Sequence, residues 1–169
     1  MNKKILGIIV SVLTLAILVA PAMAAPATKI EGVTLTSGAT PVRDSIRFVD
    51  HNIVHSRGTS TGPVTLNIPE QDPLPEGTWD STWAWMGKWT DFPASDPEGE
   101  LIISGKVVLT FTGVGTTGTF KGTIIRKIVG LPPSGSSIVE DRMVLQGTGD
   151  FKGQTLKLSN SEGYLIIPK

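Results

Sequence analysis

Leu101-Ile102-Ile103-Ser104-Gly105-Lys106-Val107-Val108-Leu109-Thr110-Phe111-Thr112 decides the fold class. Its odd positions carry Leu101, Ile103, Gly105, Val107, Leu109 and Phe111, while the even ones are mostly polar: Ser104, Lys106, Thr110 and Thr112. A period of two puts one set on an apolar face and the other on a wet face, as a half-buried antiparallel strand requires. Downstream of residue 24 no segment shows helical spacing of apolar residues, and glycine and proline punctuate the chain at short intervals.

Outward from this strand the alternation continues. Thr117 to Val129 carries Phe120, Gly122, Ile124 and Ile128 on one face, with Arg126 among them. The turn Leu131-Pro132-Pro133-Ser134-Gly135 ends it, because paired prolines cannot donate to a ladder. Further strands are expected at Ser137 to Gly147, Phe151 to Ser159 and Tyr164 to Ile167, and upstream at Lys29 to Thr36, Ser45 to Ser56 and Val64 to Ile68. With Thr78 to Trp89 this makes about eight or nine short strands, the spacing of a sandwich or barrel. Closure removes aggregation-prone edges, so the expected fold is all-β, a small antiparallel barrel of about eight strands.

Thr117-Gly118-Thr119-Phe120-Lys121-Gly122 recurs 31 positions later as Thr148-Gly149-Asp150-Phe151-Lys152-Gly153. The glycines suit tight bends, and each Phe is expected in the core. The segment Val144 to Gly153, with the earlier copy at Gly118 to Gly122, resembles the Gly-x-Phe-x-Gly pattern of the allene oxide cyclase-like barrel group, which includes the dirigent proteins. The likeness spans roughly Gly99 to Gly163 and implies an eight-stranded antiparallel barrel with a central cavity. No position here matches the cyclase's catalytic residues, so the activity does not carry over. Gly77-Thr78-Trp79 fits the opening triplet of lipocalin-like barrels, but three strand candidates precede it and about six follow, too few to close such a barrel from there.

The N-terminus reads separately. Lys3 and Lys4 precede an unbroken apolar run of 16 residues, Ile5 to Ala20, then Pro21 and the small-residue exit Ala22-Met23-Ala24. Positive head, apolar middle and small-x-small exit compose a secretory signal peptide, and the run is short of the roughly 20 residues that span a bilayer. Residues 1–24 are therefore expected to be cleaved, leaving residues 25–169 as a single secreted or extracytoplasmic domain with no membrane segment. There is no cysteine, which excludes disulfides, a thiol nucleophile and zinc–cysteine sites. Beyond residue 24 the chain holds 13 basic and 15 acidic residues, a net charge of −2 that argues against nucleic acid as a partner. Glu70 to Glu100 alone holds eight acidic residues and only Lys88, and reads as solvated acidic connections.

Few constellations carry chemistry. Gly113-Val114-Gly115-Thr116-Thr117-Gly118 matches the dinucleotide fingerprint, but a strand follows where a phosphate-binding helix is needed, so it reads as a hairpin loop. His51 and His55, on one strand, would lie ~13–14 Å apart, too far for one metal ion. Asp91, Asp96, Glu98 and Glu100 lack EF-hand spacing. No metal site and no cofactor is expected.

Two features point to a binding site. On the strand Thr78 to Trp89, Trp79, Trp83, Trp85 and Trp89 all occupy odd positions and share a face. Each indole can bury ~150–250 Å²; inward, the face fills or lines a barrel, and outward it is a platform for sugars or partner proteins. On Ser45 to Ser56 the even face reads Ile46, Phe48, Asp50, Asn52, Val54. A buried charge needs a partner, so Asp50 and Arg126 are expected to meet inside with Asn52 beside them, unless the strand turns its polar residues to solvent. The expected ligand-binding set is Trp79, Trp83, Trp85, Trp89, Asp50, Asn52 and Arg126, for a small apolar or cyclic ligand. Two alternatives stand: a barrel enzyme, cyclase- or isomerase-like, acting by cavity shape, and a surface protein using an exposed tryptophan face.

Overall fold

The computed structural model describes residues 26–50, 52–88, 96–131 and 137–168. The expected signal peptide, His51, Trp89, the acidic residue Asp91 and the Pro132-Pro133 turn lie outside the described residues, as do the side chains of Asp50, Asp96 and Glu98.

The described chain is all β, with nine strands and no helix. They are β1 (Thr28–Ser37), β2 (Thr40–Asp50), β3 (Ile53–Asn67), β4 (Gly77–Lys88), β5 (Asp96–Gly113), β6 (Thr116–Leu131), β7 (Ser137–Gly149), β8 (Thr155–Ser159) and β9 (Glu162–Ile167). All form one antiparallel sheet, ordered β1-β9-β8-β7-β6-β5-β4-β3-β2, and β1 also pairs with β3, so the sheet returns on itself as a ring. The Gly113-to-Gly118 segment is a hairpin turn, as expected: Gly113 pairs with Thr116, and Gly115 takes the positive φ of 79° that a tight turn requires.

The expected strand from Ser45 to Ser56 is instead a hairpin. β2 ends at Asp50 and β3 starts at Ile53, so Phe48 lies opposite Val54 and Ile46 opposite Ser56. The polar residues taken as interruptions of one apolar stripe mark the bend. β3 then runs unbroken to Asn67, absorbing the separate Val64 to Ile68 strand except Ile68.

β1 and β2 are nearly one strand. Thr34 to Ser37 pair with Asn67 to Val64, and Thr40 to Arg43 continue the same register against Thr61 to Gly58. Gly38 and Ala39 make the kink between them, where the Gly38 N–H donates to the Pro63 carbonyl (2.9 Å). Pro63, lacking an N–H, thus sits where the ladder changes partner strand and tolerates the loss.

This register also opens the ring. β9 covers the flank of β1 only as far as Thr34, and β8 covers β7 only from Arg142 onward. Past those points β2 and the first residues of β7 have no strand on that flank among the described pairings. The end holding both termini of the described domain is sealed, and the other gapes.

The sealed end holds the core. Phe111, Phe120, Val64, Leu66, Leu109, Leu145, Leu156 and Leu165 are all essentially inaccessible. The two repeat copies face each other, with Gly118 opposite Gly149 and Thr119 opposite Thr148. Yet they fold differently. The first lies in β6, whereas the second forms the β7–β8 turn, and the strand expected from Phe151 begins only at Thr155. Both Phe side chains are nevertheless in the core: the Phe120 and Phe151 rings stack at 4.6 Å, and Phe111 meets Phe151 edge-on at 5.9 Å. Close packing here needs glycine, because a Cβ on Gly147 would lie 2.0 Å from the Phe151 carbonyl oxygen.

Phe120→Ala and Phe151→Ala should each cost ~3–5 kcal/mol in chemical denaturation, with a double variant short of additive because the rings touch. A Phe151→Ala protein that unfolds at the wild-type midpoint would refute this packing.

Candidate functional site

Toward the open end the sheet's inner face forms a half-open cleft of about 490 Å³. That volume suits a small molecule, for which pockets of roughly 300–1,000 Å³ are usual. Directly opposed residues share a face in an antiparallel ladder, so the register builds the inner face row by row, and part of each row lines the cleft. One row reads Arg43, Gly58, Trp83, Gly105, Ile124, Met143 across β2 to β7. The next reads Ile46, Ser56, Trp85, Ile103, Arg126, Asp141. Pro41 and Arg43 of β2 and Ser161 of the β8–β9 turn flank the mouth.

Trp79, Trp83 and Trp85 all face inward and line the cleft; Trp79 is buried at its base, and the other two are half-buried above it. Trp83 lies flat over Gly58, where an added Cβ would come within 2.3 Å of the indole. Its Nε1 donates to Ser60 Oγ and that of Trp79 donates to Ser81 Oγ, each at 3.0 Å. These two indoles therefore offer apolar area rather than free donors. Gly87, the next inward position after Trp85, is buried, and its opposite residue Val54 packs against Trp85 and Leu101.

Arg126 also lines the cleft, and it is paired with the Asp141 carboxylate; the expected partner Asp50 has its side chain outside the described residues. Its Nη2 and Nε both donate to Asp141 Oδ2, at 2.6 and 3.2 Å. Asp141 is 3% exposed, and its Oδ1 has no hydrogen-bond partner among the described residues. A carboxylate buried so deeply is tolerable because a directly opposed guanidinium neutralises it. Asn52 is exposed in the β2–β3 turn, away from the cleft lining, and the backbone of Asp50 ends β2 on the same bend.

Arg43, Met143 and the indole partners Ser60 and Ser81 are among the lining residues that escape a reading of the sequence alone. Asp141 itself leaves a signal: with Met143 and Leu145 it occupies the odd face of β7, a charge in an apolar stripe like Arg126. Arg43 leaves none, because Thr40 to Arg47 carries charge on both faces and a register shift between Arg43 and Ser45 resets its alternation. Among the described lining residues there is no carboxylate and no imidazole; the only ionisable side chains are Arg43 and Arg126.

The chain matches no family model, no curated protein and no solved structure.

Proposed function

We propose that this is an exported β-barrel protein that binds a small apolar, ring-shaped ligand in its cleft. The observation that carries the reading is the row of inward indoles, Trp79, Trp83 and Trp85, lining a cavity of about 490 Å³. Rigid indoles offer a large contact area at little entropic cost, and their N–H groups at Trp79 and Trp83 are already satisfied. The ring of strands, returning from β1 to β3, is the ground for calling the fold a barrel, with β2 as an extension of β1. Trp89 extends the same alternation along the sequence and belongs to this proposal by its odd position alone.

Binding is favoured over catalysis because a cyclase or isomerase needs an acid or base against its substrate. The described lining offers none, and Asp141 is held against Arg126. A tryptophan platform for partner proteins or carbohydrate is disfavoured by the inward direction of the three described indoles. Export rests on Lys3, Lys4, the Ile5 to Ala20 run and the Ala22-Met23-Ala24 exit. Intact-mass measurement of protein recovered outside the cytoplasm should show Ala25 as first residue; a retained Met1 would refute export.

Fused-ring compounds should change the intrinsic tryptophan emission saturably. Trp83→Ala or Trp85→Ala should weaken the best of them roughly three- to tenfold while the fold survives, the scale of one aromatic contact. A broad panel that leaves the emission unchanged would sink the binding proposal.

A further inference from the structure

The geometry points to an anionic ligand: a flat, fused-ring molecule whose edge carries a carboxylate or sulfonate, with Arg43 as the residue that selects it. The inference rests on the cleft reading above and adds the charge of the ligand.

Charge balance inside the cleft is its basis. Arg126 is neutralised by Asp141 at 2.6 Å. Arg43 has no ion pair among the described residues, and no described carboxylate lines the cleft. Among the described residues the cleft therefore keeps one uncompensated positive charge, and residues 25–169 have a net charge of −2.

Placement makes that charge useful. Arg43 stands in the same row as Trp83, separated from it only by Gly58, which has no side chain to rise between them. Its guanidinium carbon lies 5.9 Å from the Trp85 ring centroid, at the limit of cation–π contact. A ring stacked on these indoles would meet the guanidinium at its edge, where a planar carboxylate can take two parallel N–H donors. The register shift immediately after Arg43 has the same sense: an extra residue at Asp44 sends Ser45 to the outer face opposite Arg57 and leaves Arg43 facing inward. Bulges commonly re-aim a side chain beside a site. The other arginines of this hairpin, Arg47 and Arg57, pair into the ladder on the outer face and do not line the cleft.

Arg43 is solvent-exposed at the mouth, so its selectivity should be moderate and salt-sensitive. The test compares 2-naphthoate with 2-naphthalenemethanol, the same ring with and without charge, by tryptophan fluorescence on the full chain. Wild-type protein should bind the anion at least about fivefold more tightly at low salt, and the preference should shrink in about 0.5 M salt. Arg43→Gln should bring the two probes within about twofold while leaving the alcohol unchanged, and Arg43→Lys should keep part of the preference. Arg47→Gln should behave as wild type. Equal binding of both probes, or a preference that survives Arg43→Gln, would overturn the anion inference and leave the cleft reading standing. Binding of neither probe would overturn both.

Discussion

The register of the long β1–β2 edge against β3 is the constraint on which the other features depend. Thr34 to Ser37 close the ring by pairing with Val64 to Asn67, and the same ladder runs on through Arg43 opposite Gly58. Closure at one end concentrates Phe111, Phe120 and Phe151 with Leu109, Leu145, Leu156, Leu158 and Leu165 into one core. Continuation at the other end, past the reach of β8 and β9, leaves a curved sheet with an uncovered inner face. One set of backbone hydrogen bonds thus fixes both the stable half of the molecule and the location of its cleft.

Within that cleft, glycine and tryptophan work as a pair. Gly58 and Gly105 flank Trp83 in its row, so the indole can lie along the sheet instead of standing in a crowded stripe. Serines at positions 60 and 81 satisfy the Trp83 and Trp79 N–H groups, which fixes the rings without a ligand. A surface arranged before the ligand arrives loses less entropy on binding. The Arg126–Asp141 pair serves a different end: it lets the inner face carry a guanidinium one row from buried Ile124 and Met143 without an unbalanced charge.

Strand content and the inward or outward alternation of β5, β6 and β7 were legible because a period of two survives in the residues themselves. The shared face of the tryptophans was legible for the same reason, although its inward direction depends on the ring. The β2–β3 hairpin was not. The sequence between the end of β2 at Asp50 and the start of β3 at Ile53 holds no glycine or proline, and the apolar residues on either side keep step across it. Arg126 pairs with Asp141, which lies on a neighbouring strand and carries the same signature of a charge in an apolar stripe. Nor does the repeat reveal its own asymmetry: identical spacing folds once as strand and once as turn, because only the second copy sits where β7 must reverse into β8.

Intermolecular nuclear Overhauser contacts between a bound fused-ring probe and the assigned protein test the central claim, that the open end of the ring is a binding cleft. The account predicts contacts to the Trp83 and Trp85 indoles and to the Leu101 and Ile103 methyl groups, all on the inner face. Contacts confined to exposed apolar residues of the outer face, such as Met86, Ile102 and Ile125, would contradict it.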